Sequence, residues 1–300
     1  MSPRLGLFLP TIEALRGPRW LPRWTELREI AQLAEQVGFD ALFVPDHLIF
    51  RASAYWGIQD DEPRGTWEAW TILAALAEAT TRVDIAPFVS ASSFRQPALV
   101  AKMATTLDEI SNGRFILGIG TGSHQGEYPA FGFEWDHLAS RFDEALQVMV
   151  PLLREGNVDF TGRYYHAEQC ELLPRGPRPG RLPVWIAAFG PRMLRLTARW
   201  ADAFITAWHT DPRELEAPFA ALDAACQELG RDPASIGRTV GTFVSFDASA
   251  PNKALRGSPK QIAYGLRALH GAGATDVVCM LTPADRRGIE RFSKVIDALR

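Results

Sequence analysis

Two residues that could move protons follow an apolar run near the start of the chain. The run ALFV (41–44) reads as a buried strand, and Pro45 then leads into Asp46 and His47. An imidazole titrates near neutral pH, so His47 could exchange a proton with a substrate or hydrogen-bond a redox group. The alternative is a structural histidine whose ring is bonded to the neighbouring Asp46 carboxylate. His47 is therefore a catalytic candidate whose role depends on where the strand ends in the fold.

A glycine-rich stretch supplies further candidates. The sequence GTGSHQGE (120–127) contains His124 and Glu127, which are acid–base candidates in a loop that could equally be solvated. The glycines would leave room for a flat ring. GIGTG lacks the third spaced glycine and the later acidic residue of a dinucleotide fingerprint, so a Rossmann fold is not predicted. His209, in AWHT (207–210), is a further candidate for the same pocket.

An anion site is predicted where a strand meets a helix. In AFGPRM (188–193) the free backbone N–H groups of the helix start suit a phosphate. Gly190 would allow close approach, and Arg192 could add charge. The alternative is an ordinary strand–helix turn with a surface arginine.

No metal site is expected. No HxH motif occurs, and the three cysteines are far apart, odd in number and in no CxxC pattern. They are Cys170, Cys226 and Cys279. A metal-dependent or acid–base barrel hydrolase therefore has little support, and free thiols fit a reducing cytosol.

The composition narrows the functional class. The chain has 300 residues, 47% of them apolar, and a net charge of −3. A nucleic-acid-binding protein would need a basic face, so no nucleic-acid partner is expected. The apolar run in the N-terminal segment MSPRLGLFLP is too short for the apolar region of a signal peptide. No apolar run reaches the roughly 18 residues that a membrane span requires. A cytoplasmic protein with no membrane partner is expected.

The elements that must position these residues alternate regularly. Eight apolar, β-branched runs are each followed by a stretch of helical period, which predicts a (β/α)8 TIM barrel rather than a doubly wound sheet. The predicted strands are 5–10, 41–45, 83–91, 114–122, 183–190, 202–208, 238–246 and 276–282. Residues 157–182 break the rhythm and predict a short, hairpin-like insertion between helix 4 and strand 5. The barrel is predicted to be a single domain over residues 1–300.

A closed α/β barrel carries its site at the carboxyl ends of its strands. The candidates named above all follow predicted strands, so we expect them to converge at one rim although they are scattered in the sequence. Glu13, after the first strand, is a further possible acid there. Trp56, Trp67 and Trp70 could wall the pocket or simply pack.

Four segments resemble the luciferase-like family of flavin- and F420-dependent oxidoreductases, which includes bacterial luciferase. They are GFDALFVPDH, AKMATTLDEISNGRFILGIGTG, SRFDEALQVMVPLLREGNVDFTGRYY and VWIAAFGPRMLRLTARWADAFITAW. Their order along the chain makes the likeness specific, and it covers most of the sequence.

The resemblance implies roles for these residues. FGPRM would hold the cofactor phosphate through backbone amides, and the strand around Phe88 and Val89, with a non-proline cis peptide in several members, would back the ring. Asp46 would lie at the polar edge of the ring, and His47 in the catalytic pocket. The catalytic candidates are His47, His124 and Glu127. The cofactor-binding candidates are Asp46, Phe88, Val89, Ser90, Thr121, Gly122, Ser123, Ala188, Phe189, Gly190, Pro191 and Arg192.

Two departures bear on the substrate. In the family's glucose-6-phosphate dehydrogenases an acid follows the GTG turn and a lysine follows the sixth strand, whereas this chain has Ser123 and the lysine-free AWHTD. A small, uncharged or weakly polar substrate is expected instead. The predicted activity is F420-dependent hydride transfer. The alternatives are an FMNH2-dependent monooxygenase that uses O2 and a partner reductase, and a non-catalytic flavin-binding relative. A flavin or F420 reductase as partner and a homodimer are also expected.

Overall fold

The computed structural model describes residues 2–14, 19–52, 62–247 and 253–300. These residues form eleven strands. They are β1 (Arg4–Phe8), β2 (Ala41–Val44), β3 (Asp84–Pro87), β4 (Ser90–Ala91), β5 (Leu117–Gly120), β6 (Asn157–Thr161), β7 (His166–Glu171), β8 (Val184–Ala187), β9 (Ala203–Ala207), β10 (Gly237–Ser245) and β11 (Asp276–Thr282).

All strands except β6 and β7 join one parallel sheet, in the order β3-β2-β1-β11-β10-β9-β8-β5-β4. β3 and β4 are successive parts of one strand, separated by Phe88 and Val89, and the peptide bond between those two residues is cis. β4 pairs with β5, and Ile85 of β3 pairs with Phe115 just before β5. This pairing brings the two edges of the sheet together, which confirms the predicted (β/α)8 barrel.

Helices follow the barrel strands and cover them from outside. They are α1 (Trp24–Val37), α2 (Ala69–Ala79), α3 (Pro97–Ile110), α4 (Glu127–Ala130), α5 (Leu138–Arg154), α6 (Pro191–Trp200), α7 (Glu216–Glu228), α8 (Pro259–Gly271) and α9 (Arg286–Leu299). Their buried residues recur at helical spacing: in α9, Ile289, Phe292 and Ile296 face the barrel. None of the helices formed by the described residues is long and apolar enough to cross a membrane.

The predicted insertion is an antiparallel hairpin. β6 and β7 pair with each other and lie beside α5. The Glu144 carboxylate of α5 accepts hydrogen bonds from the backbone N–H groups of Arg163, Tyr164 and Tyr165, at 2.9, 2.8 and 3.0 Å. One side chain therefore fastens the turn of the hairpin to the outer layer of helices.

The inside of the barrel is filled by side chains. Phe8, Phe43, Trp185 and Val278 form a buried cluster there. Space between the strands is tight: a Cβ added to Gly118 would lie 2.2 Å from the carbonyl oxygen of Pro87. The packed interior leaves the carboxyl ends of the strands as the place where a ligand could enter.

Candidate active site

A cavity of about 280 Å³ opens at the carboxyl ends of the strands. Its walls are mostly apolar and aromatic, as expected for a small-molecule site. The lining residues from the predicted set are Asp46, His47, Phe88, Val89, Thr121, Gly122, Ser123, Glu127 and Phe189. The structure thus brings together residues from the ends of β2, β3, β5 and β8, as the barrel prediction requires.

His47 and Glu127 form a hydrogen-bonded pair at this cavity. His47 Nδ1 lies 3.0 Å from Glu127 Oε1, and the Glu127 side chain is only 2% exposed. Glu127 Oε2 accepts a hydrogen bond from the Leu48 N–H at 2.8 Å, while the hydroxyl of Thr66 donates to the His47 carbonyl at 2.7 Å. The carboxylate fixes the ring orientation and favours the proton on Nδ1, so Nε2 is the nitrogen available for proton exchange.

His124 does not line the cavity. Its ring is 2% exposed, stacks on Phe50 at 5.3 Å and accepts a hydrogen bond from the Arg51 N–H at Nε2. The imidazole therefore supports the segment that follows β2, and the predicted catalytic role for His124 gains no support from its position.

Asp46 lines the cavity, but its carboxylate is buried among protein donors. Its side chain has no exposed surface and binds Arg95 through two contacts, Oδ2 to Nη1 at 2.7 Å and Oδ1 to Nη2 at 3.2 Å. It also accepts hydrogen bonds from the Ser90 hydroxyl at 2.8 Å and the Ala91 N–H at 3.2 Å. Both Asp46 carboxylate oxygens are thus bound by protein donors and have no exposed surface. The predicted contact of Asp46 with a cofactor edge would therefore be made by its backbone.

Arg95 was not found from the sequence, since nothing near it signals a buried pair. Its Nη2 also binds Glu68 at 2.6 Å, and Glu68 in turn accepts from the N–H groups of Trp70 and Thr71 as the N-cap of α2. Burial acts to lower the pKa of Arg95, but the Asp46 and Glu68 carboxylates outweigh it and raise that pKa. Ser90, predicted to contact the cofactor, is buried between Asp46 and the Trp70 indole N–H.

The residues predicted to bind a phosphate lie at the start of α6. Gly190, the N-cap, has φ 78° and ψ 163°, a conformation essentially restricted to glycine. No atom lies within 4 Å of a Cβ added there, so the approach to the helix start is open. Helix geometry leaves the N–H groups of Arg192 and Met193 without intrahelical acceptors, and Phe189 beside them lines the cavity.

Not every residue of that stretch faces the cavity. Ala188 is buried, and Phe189 is the one residue of the predicted stretch in the cavity lining. The residues of that stretch outside the lining are Ala188, Gly190, Pro191 and Arg192. The Arg192 guanidinium is directed to α5, where it bonds the Ser140 hydroxyl at 3.0 Å. The backbone of α6, rather than the arginine side chain, is therefore the part that could hold an anion.

Much of the wall was missed from the sequence. Phe8, Ile12, Phe50, Trp208 and Met280 all line the cavity. They lie at or just beyond strand ends, so counting inward-facing positions along each strand would have found part of the set.

Four other candidates lie outside the cavity lining, namely Glu13, Trp67, Trp70 and His209. Trp56 lies outside the described residues. Trp67 donates its indole N–H to the Pro22 carbonyl, and Trp70 is part of the Asp46 network. Glu13 accepts two hydrogen bonds from Arg19, which lower the pKa of its carboxyl to about 2. A carboxylate held in its ionised form has no proton to donate at neutral pH, so Glu13 is not suited to act as a general acid.

Comparisons with known proteins agree with this architecture. A phthiodiolone/phenolphthiodiolone dimycocerosates ketoreductase from Mycobacterium tuberculosis is 35% identical over 244 residues, which cover 77% of this chain and 63% of that relative. An F420-dependent glucose-6-phosphate dehydrogenase from Amycolatopsis mediterranei is 35% identical over 194 residues, 63% of this chain and 53% of that protein. The chain therefore matches less than two thirds of the length of either relative.

A solved structure shares the whole fold. An F420-dependent secondary alcohol dehydrogenase in complex with an F420–acetone adduct superposes with a TM-score of 0.80 at 21% identity, over 100% of both chains. The profile of the luciferase-like monooxygenase family matches residues 4–252. The chain therefore belongs to the luciferase-like monooxygenase family, a family of oxidoreductases.

Proposed function

We propose that the chain is an F420-dependent oxidoreductase that transfers a hydride between the coenzyme and a small organic substrate. The observation that carries this proposal is the His47–Glu127 pair, with Nδ1 and Oε1 3.0 Å apart, at the edge of an apolar cavity. The names of the relatives, which include a ketoreductase and an F420-dependent dehydrogenase, support a carbonyl or alcohol as the reacting group.

The cavity and its rim fit such a coenzyme. The walls at Phe88 and Val89 suit a flat ring, and the glycines at 120 and 122 keep that side of the cavity free of bulk. The open start of α6 at Gly190 suits a phosphate in the coenzyme tail. When bound, the deazaflavin ring would supply the hydride or accept it.

The residues of the chain would handle the proton and the solvent. His47 Nε2 would donate a proton to a carbonyl oxygen or take it from an alcohol, and Glu127 would stabilise the charged imidazolium. The aromatic walls would exclude water from the reacting centre. Because the lining residues of the described structure include no lysine or arginine, the substrate we propose is uncharged.

The second candidate is an FMNH2-dependent monooxygenase supplied by a separate reductase. The observation that favours it is the apolar, aromatic lining of the cavity, since a pocket walled by Phe8, Phe88 and Trp208 would protect an oxygen-reactive flavin from water as well as it would serve hydride transfer. The family profile, named for monooxygenases, also supports it.

Titration of the purified protein with F420 and with FMN tests the proposal. Coenzyme fluorescence gives both dissociation constants, and we expect F420 to bind at least tenfold more tightly. Tighter binding of FMN would favour the monooxygenase, and absence of binding by either would refute both. Binding of F420 with no turnover of any ketone or alcohol would indicate a non-catalytic relative.

Four wider expectations belong to the same proposal. We infer one domain over residues 1–300, a homodimer, and action in a reducing cytosol. A flavin or F420 reductase would regenerate the reduced coenzyme. Size-exclusion chromatography with light scattering tests the dimer directly.

A further inference from the structure

The backbone at Trp208 has a conformation that bulky residues seldom adopt. Trp208 follows β9 and has φ 68°, in the left-handed region. The residue lines the cavity and is half-buried. A strained position at a site is a reason to ask what the strain provides.

Hydrogen bonds from two adjacent residues hold this bend. The N–H groups of Trp208 and His209 both donate to the Gly241 carbonyl of β10, at 2.7 and 3.0 Å. The segment is thereby fixed to the neighbouring strand directly after β9 ends.

The His209 side chain adds a second anchor. Its Nε2 lies 2.8 Å from the Thr206 hydroxyl, and its Nδ1 lies 3.6 Å from Glu214 Oε2. Glu214 also binds Lys253. Burial lowers the pKa of His209, although Glu214 opposes the effect, so the ring is neutral at pH 7 and can accept the Thr206 hydroxyl proton in a hydrogen bond.

Aromatic rings fix the indole itself. It stacks on Phe243 with ring centroids 4.6 Å apart and planes at 17°. Phe8 and Phe88 meet it edge-on, at 5.5 and 6.1 Å. An indole held on three sides and bent at its backbone cannot swing aside to admit a larger ligand.

We propose that Trp208 is the specificity-determining residue of this site, a rigid wall that limits the substrate to compact, uncharged carbonyls or alcohols, and that His209 is its positioning residue. The reaction named in this proposal rests on the proposed function, whereas the geometry of the wall does not. It deepens that function by assigning the size limit to one side chain.

The test compares Trp208→Ala and Trp208→Phe with the wild type on propanone, 2-butanone, 2-hexanone and 2-octanone. Turnover is followed by oxidation of reduced F420, and binding of each ketone to the coenzyme-free protein by ligand-observed NMR. We expect Trp208→Ala to raise the ratio of octanone to propanone at least tenfold in both kcat/KM and affinity. For Trp208→Phe, which keeps a flat ring, the same ratios should stay within threefold of the wild-type ratios.

A matched control separates the wall from general packing. Trp200→Ala also removes a half-buried tryptophan, but Trp200 ends α6 and does not line the cavity. Its ketone ratios should not change. Unchanged ratios in Trp208→Ala, with coenzyme affinity within threefold of the wild type, would overturn the proposal, as would absence of binding by every ketone.

The positioning role of His209 has its own readout. His209→Leu should shift the ketone ratios in the direction of Trp208→Ala, and His209→Gln, which can still bond the Thr206 hydroxyl, should restore most of the selectivity. Loss of stability in His209→Leu with unchanged ratios would reduce His209 to a structural role. If the wild type binds no coenzyme, the proposed function fails, whereas the ketone affinities of the coenzyme-free protein still decide the role of Trp208.

Discussion

Within His47 the two ring nitrogens have different surroundings, and this difference gives the residue its chemistry. Nδ1 is bound by Glu127 Oε1, so the tautomer is set and Nε2 remains for a ligand. The sequence indicated His47 because it follows an apolar strand. It could not indicate that Glu127 is the partner, since 80 residues separate the two and a four-residue helix delivers the acid.

Replacing His47 by alanine should reduce kcat by about 100-fold or more, the usual contribution of a general acid or base. The dissociation constant of F420 should stay within about threefold, because the proposed phosphate site lies at α6. Steady-state kinetics and coenzyme fluorescence measure the two quantities. His137→Ala is the matched control, since that ring is exposed, bonds the neighbouring Asp136 carboxylate through Nδ1 and does not line the cavity. Turnover near the wild-type rate in His47→Ala would remove His47 from the mechanism.

At the scale of elements, two variants that differ only in charge can test whether the start of α6 binds the coenzyme phosphate. Gly190→Asp and Gly190→Asn introduce side chains of the same shape at the same strained φ, and they differ in one negative charge. The aspartate should weaken F420 binding at least tenfold more than the asparagine does, because a carboxylate would repel the phosphate. Equal affinities in the two variants would place the phosphate elsewhere.

The joint between α5 and the inserted hairpin should be sensitive to pH. Burial acts to raise the pKa of Glu144, but three backbone N–H donors outweigh it, and the pKa lies below its ordinary 4.5. Because the pKa of Glu144 is lower in the folded than in the unfolded state, its carboxylate stabilises the fold at pH values above the unfolded pKa. That contribution is lost as the pH falls through the folded pKa.

Glu144→Gln should therefore cost about 0.5–1 kcal/mol of unfolding free energy at pH 7, a figure reduced by solvent screening. The difference from the wild type should shrink as the pH falls below about 4. Urea unfolding at several pH values measures it, with Glu155→Gln, an exposed acid at the end of the same helix, as control. A difference that persisted unchanged at pH 3 would contradict the role of the carboxylate.

At the scale of the whole molecule, the Asp46–Arg95 pair joins the segments that follow two barrel strands, with the Asp46 side chain fully buried and the Arg95 side chain 13% exposed. Removing the charge from Arg95 with Arg95→Met would leave the Asp46 carboxylate buried without its counter-charge. Breaking such a pair costs about 3–5 kcal/mol. We expect a loss of that order and a lower Tm, measured by chemical and thermal unfolding.

Two further variants make this prediction specific. The double variant Asp46→Asn with Arg95→Met should recover part of the loss, because no charge remains buried. Arg286→Met breaks only an exposed pair with Glu290 and should cost less than about 0.5 kcal/mol. A loss in Arg95→Met no greater than that of Arg286→Met would contradict the assigned burial.

The barrel could be predicted from the sequence because the spacing of apolar residues changes from that of a strand to that of a helix and back in each β/α unit. All eight predicted barrel strands are found. The third predicted strand, 83–91, is divided into β3 and β4 at Phe88 and Val89, where the structure has the cis peptide that the family resemblance implied. Hydrophobic periodicity alone did not indicate this division. The region of the site followed from the topology. The direction of each side chain did not: Arg95 holds the carboxylate of Asp46 in a buried ion pair, and the ring of Phe50 stacks on His124, which lies outside the cavity lining.

The close approach at Gly118 has a practical meaning for redesign. A single added methyl group there would collide with the Pro87 carbonyl, so even the conservative change to alanine would be rejected at this strand position. Mutant libraries meant to alter substrate choice should therefore leave such strand positions intact. They should diversify the connecting loops, where side chains can be changed with a small loss of folding stability.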